Sequence, residues 1–221
     1  MPNSAIIVAA GAGKRFGSAK QFYEWRKRPL FLYALDAFEL NKSIDKIILV
    51  VPQKSIRGIQ AMMKNMNYKK VHSIVAGGKR RQDSVFNGLK ALQNRSGIVV
   101  IHDGVRPIVS QAMITKGIKL CRTYRAVIFA LPIYDTVKKV NRGIVKGTIP
   151  RKNMYLVQTP QFFESSLIQE AYKRANRAVE YTDEAAILES LGIPVHCLCG
   201  DKDNIKITKK GDLKILDRIQ P

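Results

Sequence analysis

The stretch Ala9-Ala10-Gly11-Ala12-Gly13-Lys14-Arg15-Phe16-Gly17-Ser18-Ala19-Lys20-Gln21-Phe22 sets glycines and cations close together directly after an apolar run. Glycine lets backbone amides come close to a ligand, and Lys14, Arg15 and Lys20 add fixed positive charge, a combination suited to holding phosphate. Two known loop patterns do not fit. The nucleotide-hydrolase loop G-x-x-x-x-G-K-[ST] fails because no glycine stands five residues before Gly13, and Arg15 rather than Ser or Thr follows Lys14. The dinucleotide fingerprint G-x-G-x-x-G fails on spacing, since Gly11, Gly13 and Gly17 read G-x-G-x-x-x-G, and Val51-Pro52-Gln53 offers no acid for a ribose hydroxyl. A purely structural tight turn explains the glycines and leaves Arg15 and Lys20 unexplained. A cradle for a triphosphate explains both.

The elements that must position such a loop follow from the hydrophobic pattern. Strand-length apolar runs recur at Ser4–Ala9, Lys46–Val51, Val71–Val75, Gly97–Ile101, Ala126–Leu131 and Ile193–Leu198, most of them separated by segments with helical spacing. That alternation predicts an α/β fold: a Rossmann-like, mostly parallel sheet flanked by helices. Val85, Leu89 and Leu92 define a helix with Asp83 or Ser84 placed to cap it. Pro29 opens one with Phe31, Leu35 and Phe38 on a face, and Ser110 caps one carrying Ile114, Ile118 and Cys121. Thr182 or Asp183 starts a short helix ended by Gly192. One segment, residues 132–159, has short β-like pieces around Asn141-Arg142-Gly143 where a helix is expected. It reads as a hairpin or arm leaving the sheet, serving as an active-site flap or a dimerisation element. Asp103 follows the run Gly97–Ile101, at the carboxyl end of a central strand, where side chains enter the crevice of such a sheet.

Bulk properties narrow the classes. A chain of 221 residues with 46% hydrophobic content can bury a core as one domain over residues 1–221. No apolar run approaches the roughly 18 to 20 residues of a membrane span, and the N-terminus lacks a basic start and cleavage site, so a cytoplasmic protein is expected. Cys121, Cys197 and Cys199 suit a reducing compartment. His196, Cys197 and Cys199 suggest zinc, but they lie in an alternating run without a second ligand pair, and buried thiols are the expected reading. The formal charge of +21 favours polyanionic ligands, yet the cations are spread along the chain rather than blocked into a tail. A nucleic-acid-binding role would group basic with aromatic residues, which this sequence does not do, so nucleic acid is not the expected partner.

Seven stretches complete the reading: AAGAGKRFG…KQF, GGKRRQDSVFNGL, HDGVRP, DTVKKV, QTPQFF, TDEA and DNIKIT. In this order and spacing, from Ile6 to about Leu213, the chain resembles the cytidylyltransferases that act on 2-C-methyl-D-erythritol 4-phosphate in the non-mevalonate isoprenoid pathway. The resemblance implies CTP and a sugar-alcohol phosphate as substrates, release of pyrophosphate, Mg²⁺, and a homodimer joined through a β-arm. It implies that Arg15, Lys20 and Lys206 are catalytic cations. Ala9, Ala10, Gly11, Ala12, Gly13, Lys14, Gly78, Lys79, Ser84 and Asp103 would bind the nucleotide. Asp103, Arg106, Thr136, Arg151 and Thr159 would bind the acceptor, with Thr136 and Arg151 reaching across to the other subunit's site. Asp103 would be the first metal ligand, with Asp203 a candidate second contact. His102 is expected to be a packed loop residue rather than a base.

The chain departs from the family pattern in two places. Ala19 stands where the family usually has proline before the lysine, leaving that turn less rigid. Lys79 and Arg80 stand where acids are common, so base contacts there would have to run through the backbone. Within the same fold, transfer to ribitol 5-phosphate is the alternative activity; TDEA and DNIKIT favour methylerythritol.

Overall fold

The computed structural model describes residues 1–13, 16–92 and 96–219. Its elements in chain order are β1 (Ser4–Val8), β2 (Glu24–Trp25), β3 (Arg28–Pro29), α1 (Leu30–Glu39), β4 (Lys46–Val51), α2 (Ile56–Asn65), β5 (Val71–Ala76), α3 (Arg81–Lys90), β6 (Ile98–Asp103), α4 (Gln111–Tyr124), β7 (Ala126–Pro132), β8 (Val137–Asn141), β9 (Ile144–Ile149), β10 (Tyr155–Glu164), α5 (Ser165–Arg174), α6 (Glu184–Ser190), β11 (His196–Cys199) and α7 (Asp212–Ile219).

Near-continuous apolar strands such as Ile47–Val51 are buried on both faces, as a parallel sheet covered by helices requires. The main sheet runs β11-β7-β10-β6-β1-β4-β5. Every pairing in it is parallel except those of β10, which lies antiparallel between β6 and β7. Successive residues of each strand feed opposite layers. Ala5, Ile7, Leu49 and Val100 pack with Phe31, Leu35 and Phe38 of α1 and with Ile114 and Ile118 of α4. Ile6, Val50, Val99 and Ile101 pack with Val85 and Leu89 of α3 and with Ile168 of α5. Full burial of each such side chain is worth about 1.5–3 kcal/mol.

The α/β alternation is as expected, and three of its details are corrected. β6 continues two residues past Ile101, because Ile7 and Val8 of β1 pair with His102 and Asp103; His102 is therefore a buried strand residue and not a loop residue. The arm is shorter than residues 132–159. Only β8 and β9 leave the sheet, turning through Arg142 (φ 48°) and Gly143 (φ 79°), while Tyr155–Glu164 returns as β10. Cys197 and Cys199 are exposed on the edge strand β11, and only Cys121 is buried.

The caps explain where helices begin. The Ser110 hydroxyl accepts from the Met113 N–H at 3.2 Å, and of the two candidates Thr182 and Asp183 it is Asp183 that caps α6, accepting from the Ala186 N–H at 3.0 Å. Asp83 sits inside the first turn of α3 and accepts from the backbone N–H of Arg80, one half of a capping box. A third, smaller cluster of Phe16, Trp25, Leu30, Ile207 and Leu216 fastens the segment after the glycine loop to the chain's C-terminal region. The Trp25 indole N–H donates to Asp217 at 2.6 Å, and the Ile207 N–H donates to the Val105 carbonyl at 2.9 Å.

Candidate active site

The site begins where β1 ends. Ala9 donates its N–H to Val50 O at 2.7 Å, holding the loop's first residue in line with the sheet before the chain turns away. Gly13 has φ 68°, and a Cβ there would lie 1.6 Å from the Ser18 carbonyl oxygen, so only glycine permits this crossing of the loop over itself. The Gly13 carbonyl accepts the N–H groups of Phe16 and Gly17 at 2.8 and 3.0 Å, and Gln21 Nε2 donates to the Gly11 carbonyl at 3.0 Å. Lys14 and Arg15 lie outside the described residues.

This loop forms one wall of a cleft of about 360 Å³, within the usual range for a small-molecule site. Ala9, Ala10, Gly11, Ala12, Gly13 and Lys20 line the cleft from this side, together with Gly78, Lys79, Arg80, Arg81 and Ser84 from the start of α3 and the residues before it, and with Asp103 and Lys206. Gly78 is needed for close packing, since a Cβ there would approach that of Asp83 to 2.3 Å, and its N–H donates to the Ser84 hydroxyl at 3.0 Å. The Lys79 side chain is exposed at the rim.

A second cleft of about 240 Å³ adjoins the first and is lined by Arg106, Gln158, Thr159, Gln161, Thr182 and Asp183, among others. Arg81, Asp103 and Lys206 line both clefts. Asp103 is the hub of this junction: one carboxylate oxygen accepts from Arg81 Nε at 2.9 Å and the other from Lys206 Nζ at 2.6 Å, with only 8% of its side chain exposed. Burial alone would raise its pKa, but the charges of Arg81 and Lys206, followed by Arg106, hold the carboxyl well below the ordinary value, so it is an anion at neutral pH. Its backbone N–H donates to the Thr159 hydroxyl oxygen at 3.0 Å. Next to it His102 is sealed in, with Nε2 3.1 Å from the Arg106 carbonyl and Nδ1 3.2 Å from Thr159 Oγ1. Burial pushes its pKa down to about 4, so the imidazole is neutral and structural. Arg106 is itself buried, with Nη1 donating to the Asn204 carbonyl at 2.7 Å.

The remaining candidates lie apart. Asp203 lines neither cleft, and its N–H donates to the Asp201 carboxylate. Thr136 and Arg151 are exposed beside the arm, with Arg151 Nη1 donating to the Tyr134 carbonyl. Three residues at the junction escaped the sequence reading. Arg81, within GGKRRQDSV, makes the only pair of ion bridges from one cation seen among the described residues: to Asp103 and, at 2.8 Å, to Glu184 of TDEA. Tyr172 donates its hydroxyl to Glu184 at 3.0 Å. The signal for Arg81 was the second of two adjacent arginines at the start of a helix.

A doubly wound sheet, a glycine loop after its first strand, and a cation-rich cleft opening at the carboxyl ends of β1 and β6 define a phosphate-binding α/β protein. Residues 4–219 match the family model of IspD, 2-C-methyl-D-erythritol 4-phosphate cytidylyltransferase, and the chain belongs to that family. It is 42% identical over 222 residues to the 2-C-methyl-D-erythritol 4-phosphate cytidylyltransferase of Clostridium kluyveri (strain NBRC 12016), covering 98% of this chain and 96% of the relative. It is 42% identical over 214 residues to the same enzyme of Syntrophus aciditrophicus (strain SB), covering 95% and 92%. Among solved structures, the 4-diphosphocytidyl-2C-methyl-D-erythritol synthase of Anaerococcus prevotii DSM 20548 superposes with a TM-score of 0.84 at 34% identity, over 99% of this chain and 97% of that one. The Francisella tularensis enzyme gives 0.84 at 31% identity, over 99% of both chains.

Proposed function

We propose that the chain transfers a cytidylyl group from CTP to 2-C-methyl-D-erythritol 4-phosphate, giving 4-diphosphocytidyl-2-C-methyl-D-erythritol and pyrophosphate. The observation that carries this reading is the junction: Arg81, Asp103 and Lys206 face both clefts, so a nucleotide in one and a phosphorylated acceptor in the other would meet there. The acceptor phosphate is largely dianionic near neutral pH, its second pKa being about 6, so it needs little help from a base. Its oxygen attacks the α-phosphorus in line, the bond from that phosphorus to the β-phosphate bridging oxygen breaks, and pyrophosphate leaves. Lys20 and Lys206, with Arg15, supply positive charge where negative charge builds. Arg106 and Thr159 hold the acceptor phosphate, and Gly78 and Ser84 define a wall that suits a pyrimidine.

Mg²⁺ fits this arrangement through Asp103. A magnesium ion is commonly bound by one or two carboxylates together with substrate phosphates, and Asp103 is the one carboxylate lining the nucleotide cleft among the described residues. When bound, the ion would neutralise phosphate oxygens. Asp203 has no support as a second ligand.

The homodimer reading rests on the arm. Val140, Ile144 and Val145 are exposed on β8 and β9, as are Tyr155 and Leu156 at its root, an apolar surface that a second copy would cover. Thr136 and Arg151 would then enter the other subunit's acceptor cleft. Among the described residues no helix is long and apolar enough to cross a membrane, and the free thiols suit the cytoplasm.

Pyrophosphate release measured across four nucleotides and two acceptors, 2-C-methyl-D-erythritol 4-phosphate and ribitol 5-phosphate, tests the reading. Turnover is expected only with CTP and the methylerythritol phosphate. Equal turnover with ATP, or preference for the ribitol ester, would overturn it.

A further inference from the structure

The junction is braced from behind by groups that touch neither cleft as ligands would. Glu184, the first residue of α6, is 0% exposed, and both its oxygens accept from Arg81 Nη1, at 2.8 and 3.0 Å. Tyr172 on α5 donates a third hydrogen bond to it at 3.0 Å, with its ring stacked on Phe86 at 5.8 Å. Arg81 Nε meanwhile donates to Asp103 at 2.9 Å. The third nitrogen, Nη2, is buried with no hydrogen-bond partner among the described residues. The guanidinium is therefore not turned to satisfy all its donors. It is turned to present Nε to Asp103, and the two bonds from Glu184 keep it turned that way.

A buried carboxylate is costly unless paired, and burial lifts the Glu184 carboxyl above its ordinary value against the pull of Arg81. A stabilising role alone would be served as well by apolar packing at this position. What the ion pair adds is direction, because a planar guanidinium held through Nη1 by the buried Glu184 carboxylate and through Nε by Asp103 is fixed at two points and cannot swing freely.

We propose that Glu184 is a positioning residue for cytidylyl transfer, acting through Arg81 to fix the orientation of Asp103 between the two clefts, with Tyr172 fixing Glu184 in turn. The relay joins α5, α6, α3 and β6, so the residues of TDEA and GGKRRQDSV work as one unit although Glu184 and Arg81 stand 103 positions apart. This rests on the transfer reading for its consequence, but the geometry it predicts can be measured without turnover.

The test uses the full-length protein with Glu184→Gln, which keeps the shape, removes the charge and sets an amide N–H₂ beside an Arg81 donor. Its kcat for CTP and the methylerythritol phosphate is expected to fall about tenfold or more while the KM for CTP stays within about threefold, because misdirection near the reacting atoms acts on the chemical step. In an Arg81→Lys background the same change should add no more than about twofold, since its route is already cut. The second readout is NMR of the Arg81 Nε–H, assigned by its disappearance in Arg81→Lys: its exchange with water should be slow in the parent and at least about tenfold faster in Glu184→Gln. An unchanged exchange rate, a kcat within about threefold of the parent, or full additivity with Arg81→Lys would overturn the proposal. If the parent shows no turnover but its Nε–H loses protection in the variant, the transfer reading fails and the positioning stands. Should Glu184→Gln not fold, Tyr172→Phe decides: kcat lowered at least about twofold at constant KM supports the relay, and unchanged kcat overturns it.

Discussion

Replacing Asp103 with Asn keeps the side chain's shape and removes the one negative charge facing both clefts. Lys206 loses its counter-charge, Arg81 loses one of its two and keeps Glu184, and an amide N–H₂ must face one of the two cations. Breaking a buried pair costs about 3–5 kcal/mol, whereas an exposed pair is worth about 0–1 kcal/mol. The Lys206 side chain is 36% exposed, so its bond belongs with the second kind, while Arg81 at 24% is closer to the first. The expected loss is therefore about 3 kcal/mol, which for a chain of this size lowers Tm by about 6 to 12 °C. Triphosphate brings negative charge of its own to Arg81 and Lys206, so CTP should still raise the variant's Tm. Turnover is a separate matter. With the carboxylate proposed to hold the metal gone, kcat should fall by about 10² or more. Differential scanning fluorimetry with and without CTP, beside pyrophosphate release in magnesium, reads both quantities. A kcat within about threefold of the parent would place the metal and the reacting phosphates elsewhere, and an unchanged Tm would show that the ion bridges at the junction carry no weight.

Three further outcomes are expected. Lys20→Ala should lower kcat by about 10² to 10³ with a smaller change in the KM for CTP; an effect on KM alone would make Lys20 an anchor for phosphate and leave the charge stabilisation to Arg15. Val145→Lys, on the exposed face of β9, should convert a dimer to monomers in light scattering at tens of micromolar; a parent protein that is already monomeric and active there would refute the role given to the arm. A thiol reagent should label Cys197 and Cys199 in the native protein and Cys121 only after unfolding, since burial pushes the Cys121 thiol up to about 12; fast labelling of all three would contradict the packing of α4.

What could be read from the sequence follows the range over which its physics acts. Strand and helix periods are local, and β1, β4, β7, α1 and α4 fall where apolar spacing predicts them. β10 was hidden because Pro160 interrupts QTPQFF, and a proline inside a run argues against a central strand; the structure accommodates it at a register shift between Gln158 and Phe162. Lys20, Asp103, Arg106, Thr159 and Lys206 converge on two adjoining clefts, whereas Asp203 does not join them. Arg81 and Glu184 were passed over because nothing local distinguishes a charged residue in a helix's first turn from a solvated one. Their meaning arises from a partner more than a hundred residues away, which periodicity cannot report. Ala19 illustrates the opposite case. The missing proline removes the ring that would hold this turn, while the φ of −68° at Ala19 is the value that proline would impose.

The single antiparallel strand of the main sheet also sets an order of events during synthesis. By the time a ribosome has delivered residues 1–150, four parallel strands, β5-β4-β1-β6, are complete along with α1 to α4. Both neighbours destined to flank β10 exist by then, but the strand itself does not, and β6 presents a bare row of amide and carbonyl groups on the side that β10 will fill. An unpaired apolar edge is a template for other chains. The nascent protein is therefore most exposed to aggregation in the interval while the arm emerges, and closes when Tyr155–Glu164 slides between β6 and β7.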